Sequence, residues 1–177
     1  MYQTLKKILE KIFKKSTVFK YGFNLSPMYR RSTGRLTYVS DDIQKVDIKI
    51  PLSYKNRNYV GSVFGGSLFS ATDPIYMIQL LNILDENYVV WDKHASIRFR
   101  RPVKQDAYVN FVITDEDLEN IKKDVAEQKE IDFEKVIQIT NKQKDIVFAE
   151  VTKIIYVADK EYYKEKRRKK SNKVSSI

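Results

Sequence analysis

The sequence predicts an α+β domain in which a largely antiparallel sheet of about six strands wraps one apolar helix. Three observations lead there. Several segments alternate apolar and polar residues with the two-residue period of a half-buried strand. One stretch, residues 66–84, is apolar almost all round and so belongs inside the domain. The length of 177 residues fits one domain, large enough to bury about two thirds of the surface its unfolded chain exposes.

In chain order, Leu5, Ile8, Leu9, Ile12 and Phe13 recur at helical spacing with lysines opposite, which predicts an amphipathic helix over 2–15. It packs on the domain edge, with weak contact to an anionic membrane surface as the alternative. Pro27 and Gly34 mark residues 24–34 as a connector, and 36–39 read as a short strand. Over 45–50, Val46, Ile48 and Ile50 fall on one face and Lys45, Asp47 and Lys49 on the other, with Pro51 ending the strand. A loop over 53–62 leads to the apolar helix, which carries Leu68, Phe69, Ile75, Met77, Ile78, Leu80, Leu81 and Leu84.

Residues 89–101 form a strand with Ala95, Ile97 and Phe99 on one side and His94, Ser96, Arg98 and Arg100 on the other. Ala107, Val109, Phe111 and Ile113 give another. Residues 115–129 read as a helix: acids at its start suit the helix dipole, and Leu118, Ile121 and Val125 form a thin apolar stripe. Strands over 131–140 and 146–157 follow, separated by the polar turn 141–145. The resulting organisation is an N-terminal helix and connector over 1–34, a domain over 35–157, and a basic tail over 158–177 that reads as a mobile extension or frayed helix.

The net charge of +10 is confined to the ends. Residues 1–20 carry six lysines against Glu10, and 160–173 carry six lysines and two arginines against two glutamates, so the stretch between them is close to neutral. No recognisable nucleic-acid-binding signature accompanies the basic ends, so no nucleic-acid partner is expected and nucleic-acid binding through the basic termini is the lesser alternative. No uninterrupted apolar run approaches the roughly 18 residues of a membrane span, and lysines interrupt any signal-peptide core. The chain has no cysteine and one histidine, which leaves no disulfide and no ordinary zinc centre and fits a cytoplasmic location.

One run carries chemistry. Asn58 is followed after five residues by Phe64-Gly65-Gly66 and after six more by Asp73. This spacing resembles the acyl-CoA thioesterases of the phenylacetate-pathway type, within the hotdog-fold superfamily, whose helix entrance runs Asn, five residues, His-Gly-Gly, six residues, Asp. Here Phe64 replaces the histidine. The chain looks closer still to an uncharacterised bacterial branch of that superfamily, through Phe64 to Leu68, Asp73 to Met77, Trp91 to Lys93 and Ser96 to Phe99. The resemblance covers roughly 35–157 and implies a curved antiparallel sheet around one long central helix.

What the resemblance implies for function is a thioester hydrolase acting on acyl-CoA or acyl-carrier-protein as a homodimer or tetramer, without a cofactor or metal. Asp73 acts as general base or nucleophile, Asn58 orients water or substrate, and Gly65 and Gly66 expose helix-entrance amides to the developing oxyanion, across a subunit interface. Phe64, Phe69 and Tyr76 line the acyl pocket, and Arg98 and Arg100, with Arg101 and Lys104, dock coenzyme A phosphates. The residues themselves leave other readings open. Asp73 before Pro74 is also a helix start, Asn58 is also a turn former, and the arginines also suit a solvated face paired with neighbouring acids. His94 reads as a surface or interface residue, while Asp92 and Ser96 lie near a second polar position of related thioesterases. A non-catalytic acyl-thioester sensor is the alternative function, since Phe64 cannot donate a histidine's hydrogen bonds.

Overall fold

The computed structural model describes Leu9 and residues 12–174. Of the amphipathic helix expected over 2–15, residues 2–8, 10 and 11 lie outside the described residues, and the described residues 12–14 are turn and irregular backbone rather than helix. Helix α1, Lys15–Leu25, follows them and leads directly to the short helix α2, Pro27–Arg31, inside the segment expected to be a connector. Pro27 starts α2 at no cost, because a first-turn amide has no intrahelical acceptor anyway. The segment is tied down. Tyr29 is 1% exposed and donates its hydroxyl to the Ala71 carbonyl at 2.9 Å, and the Asn24 amide bonds both the N–H and C=O of Leu36.

Six strands form one antiparallel sheet: β1 Arg35–Val39, β2 Lys45–Ile50, β3 Tyr88–Phe99, β4 Ala107–Val112, β5 Glu130–Thr140 and β6 Val147–Asp159, in the order β1-β2-β4-β5-β6-β3. The period-2 pattern decides its inner face. Val46, Ile48 and Ile50 are at most 1% exposed, as are Ala149, Val151, Ile155 and Val157 of β6. Each such valine or isoleucine contributes about 1.5–3 kcal/mol on burial. β1 and β3 are left as edges.

The central apolar stretch forms α3, Gly65–Thr72, and α4, Ile75–Ile83. Pro74 has no amide to continue the hydrogen-bond ladder, so the central helix is broken there. Leu68, Ala71, Ile75, Tyr76 and Leu80 are at most 2% exposed. Gln79 is fully buried on α4, where its Nε2 donates to the carbonyls of Ile43 and Gln44 in the β1–β2 turn. Helix α5, Asp115–Gln128, opens on a capping box between Thr114 and Asp117, buries Ile121 and Val125, and ends at Lys129 in the left-handed region.

Where the sequence suggests a mobile or frayed tail, residues Lys160–Val174 form helix α6. Asp159 accepts the Tyr162 amide at its start, and Lys166 donates to Glu130 at 2.7 Å, so the first turns are pinned to β5. Among the described residues no helix is long and apolar enough to cross a membrane.

Candidate active site

The break in the central helix delivers a carboxylate to the sheet. Asp73 ends α3, its N–H bonding the Phe69 carbonyl at 3.2 Å, and turns to extended backbone before Pro74. It does not start a helix: Pro74 precedes α4, and no side chain caps that helix. Instead Asp73 Oδ1 accepts a hydrogen bond from Lys153 Nζ at 2.6 Å, while half of the Asp73 side chain stays exposed.

Lys153 is 1% exposed, on the inner face of β6 between Val151 and Ile155. A buried ammonium needs carboxylate partners, since leaving water costs several kcal/mol per ion. Its second partner is Asp92, whose Oδ1 lies 3.0 Å away. That is ion-pairing distance without hydrogen-bond alignment, and Asp92 Oδ1 is buried with no hydrogen-bond donor among the described residues. Burial raises the Asp92 pKa above the ordinary carboxylate value, Lys153 pulls the other way, and the Asp73 charge adds to the rise.

A β-bulge brings Asp92 here. On β3, Asp92 pairs with Ile155 and His94 with Ile154, so the register slips at Lys93. Strict alternation places Asp92 on the face of His94. The extra residue returns it to the inner face with Ala95, Ile97 and Phe99, while Lys93 points away to Asp132 at 2.6 Å.

The other expected residues are not all brought to this cluster. Gly65 and Gly66 are the first two residues of α3, and neither amide has an acceptor among the described residues. Both glycines lie against aromatic rings: a Cβ on Gly65 would stand 2.7 Å from the Phe99 ring, and one on Gly66 would run into the Phe64 ring, so either ring would have to shift to admit one. Phe64 and Phe99 are themselves more than half exposed. Asn58 serves its own loop, accepting from the amides of Val60 and Ser62 and donating to Ser62 Oγ. Phe69 packs partly buried against the core, and Tyr76 is 2% exposed, edge-on to Phe111 at 5.0 Å, so it offers no open surface in this chain. Arg100 donates to Glu150 through Nε at 2.9 Å, and Arg98 stands across the strand pair from the same acid. His94 and Ser96 are exposed on the outer face. Two surface depressions, about 400 and 300 Å³, lie between α5 and β5 and beside the start of β3; neither is lined by Asp73, Lys153 or Asp92.

Lys153 is the residue that sequence reasoning passed over. Its signal was available: alternation through Ala149, Val151, Ile155 and Val157 puts a lysine in the middle of an otherwise aliphatic buried face.

Residues 15–157 match the family model described as Domain of unknown function (DUF4442). Among solved structures, the chain is similar to a Pseudomonas aeruginosa protein of unknown function described as a "probable thioesterase", at 23% identity and TM-score 0.67, over 76% of this chain and 89% of that one. A Chlorobaculum tepidum protein of unknown function aligns at 15% identity and TM-score 0.62, covering 81% and 93%. A Haemophilus influenzae thioesterase aligns at 12% and 0.55, covering 84% and 95%. No curated protein matches the chain. These likenesses bear on the fold, which is the expected hotdog arrangement, and the chain belongs to the family described as Domain of unknown function (DUF4442).

Proposed function

We propose that the protein is a cytoplasmic thioester hydrolase acting on acyl-CoA or acyl-carrier-protein substrates, with Asp73 as general base. The observation that carries this reading is the Asp73 carboxylate itself: half exposed at the helix break, with one oxygen held by a buried lysine and the other without a partner among the described residues. A carboxylate so held presents a fixed acceptor to water. Water adds to the thioester carbonyl as Asp73 takes its proton, the oxyanion gathers on the free amides of Gly65 and Gly66, and collapse breaks the C–S bond. The proton on Asp73 then passes to the departing thiolate, leaving acid and thiol.

One chain cannot supply both groups to one carbonyl. Asp73 lies seven residues beyond Gly66, about 10 Å along a helix rising 1.5 Å per residue, whereas oxyanion donors must stand about 3 Å from the oxygen. We therefore place the site between two copies, the amides of one facing the Asp73 of the other. The β3 edge supports this: twelve residues long and unpaired, with Trp91 and Phe99 each 55% exposed along it. Of the basic cluster, Arg100 is already paired with Glu150, so Arg101 and Lys104, which have no acidic partner among the described residues, are the better candidates for coenzyme A phosphates.

Thiol release across a panel of acyl-CoA chain lengths tests the proposal. Turnover that rises with one class of acyl group and a dimer in solution are expected. A specific observation favours a second reading: Phe64 stands where related thioesterases carry histidine, and its ring lies against Gly66. Saturable acyl-CoA binding with no thiol release by pure protein would favour that non-catalytic, acyl-thioester-sensing role.

A further inference from the structure

We infer that Lys153 is the positioning residue of the site, its single ammonium shared between a working carboxylate, Asp73, and a holding carboxylate, Asp92. The inference rests on the hydrolase reading of Asp73 and assigns what keeps that side chain in place.

The fold does not need the Asp73–Lys153–Asp92 ion cluster as a whole for its stability. Its neighbours on the inner face, Val151 and Ile155, are fully buried, and an aliphatic side chain would continue their packing. Replacing a buried ion pair by apolar residues of similar volume is often neutral or stabilising, so burial of an ammonium here is not explained by stability. The strand also departs from regularity to supply the second acid. Without the slip at Lys93, Asp92 would face the outer surface; with it, Asp92 sits opposite Ile155 on the inner face and its Oδ1 lies 3.0 Å from Lys153 Nζ.

The two acids are not equivalent. Asp73 takes the aligned 2.6 Å hydrogen bond and is half exposed; Asp92 takes the 3.0 Å contact, is 23% exposed and has its Oδ1 buried. A base must reach water, and Asp73 does. Asp92 is the second partner of the ammonium, so that Lys153 holds Asp73 Oδ1 while Oδ2 has no partner among the described residues.

The charges agree. The remaining ionisable group on this part of the inner face is Lys135, the cross-strand neighbour of Lys153 on β5, and it is neutralised by Asp117 of α5 at 2.6 Å. One ammonium between two carboxylates leaves the cluster with one surplus negative charge, which is the charge a general base uses.

The test compares wild type with Asp73→Asn, Lys153→Met and Lys153→Met/Asp92→Asn. The double variant protects against misfolding of the single one, because it removes the ammonium together with the acid most buried against it. A urea midpoint confirms that each protein is folded. We expect Asp73→Asn to lower kcat by about 100-fold or more, and the double variant, which keeps Asp73, to lower kcat by about tenfold or more with KM changed less than about twofold. A folded double variant with wild-type kcat, beside an inactive Asp73→Asn protein, overturns the role of Lys153 while leaving the hydrolase reading intact. An Asp73→Asn protein as active as wild type overturns the hydrolase reading and this inference with it. A second readout needs no turnover: the Nζ resonance of 15N-labelled Lys153 should give a slowly exchanging ammonium signal that moves in Asp73→Asn. A signal that exchanges as fast as those of surface lysines would contradict the inference.

Discussion

Two lysines face each other on the inner surface of the sheet, Lys135 on β5 and Lys153 on β6, and their surroundings differ in what they leave over. Each donates to an aspartate from a helical segment at 2.6 Å. The partner of Lys135 is Asp117, which is already committed: it accepts the Thr114 amide in the capping box of α5. That pair pins a helix end, and both members are about one-fifth exposed. Lys153 is almost wholly buried, has two carboxylates rather than one, and leaves the outer oxygen of Asp73 without a partner among the described residues. The same ionic contact therefore closes a structural junction in one place and holds a half-exposed carboxylate, the proposed base, in the other.

The sharpest way to break the comparison is to remove each ammonium. Lys153→Met strands two carboxylates, and losing one partner of a buried pair costs about 3–5 kcal/mol. Because Asp73 is half exposed, the lower end is expected, read as a urea-midpoint shift. Lys135→Met should cost less, since its acid keeps the Thr114 hydrogen bonds. If the two losses are equal, the environments are not distinct.

Asp117→Asn comes next, with an expected cost of about 1–2 kcal/mol through the weakened cap. Its pH signature has a definite sign. Burial opposes ionisation of Asp117, but the hydrogen bonds from Lys135 and Thr114 outweigh it and hold its pKa below 3.8. The stability this adds is present above that unfolded value and is lost as pH falls through the lower folded one.

Asp92 has the opposite sign and the smaller effect. Its folded pKa lies above 3.8, so its contribution is full below that value and is lost as pH rises through the raised one. Asp92→Asn should therefore gain stability on wild type as pH rises above 3.8, as followed by thermal melts across a pH series. Smaller still, Arg100→Ala should cost no more than about 1 kcal/mol, the range of exposed ion pairs. Raising salt should weaken acyl-CoA binding only if Arg101 and Lys104 meet the phosphates.

Much of this arrangement was legible in the sequence, for a physical reason. Strand alternation is a local property, so Val46, Ile48 and Ile50 announce their buried face directly, and the acids at 115–117 announce the start of α5. Asp73 was noticed because its spacing from the glycine pair resembles the thioesterase helix entrance, whereas the break after it was not, since the apolar run reads as one continuous helix. The bulge at Lys93 was not, because a one-residue slip leaves no compositional mark and reverses the face of every residue on one side of it. That is why Asp92 could be noticed but not paired with Lys153. Nor does spacing show that Gly65 and Gly66 lie against Phe99 and Phe64, contacts made across the fold or by rotamer choice. Residues 160–174 have the composition of a solvated tail, yet Asp159 and Glu130 provide the cap and anchor that favour a helix there.

The central claim is that Asp73 works on substrate while Asp117, in a matching lysine contact, does not. Steady-state thiol release from the best acyl-CoA substrate, measured side by side for Asp73→Asn and Asp117→Asn, tests it most directly. A kcat lower by about 100-fold or more is expected for the first, and one within about twofold of wild type for the second. Equal activity in the two variants would contradict it.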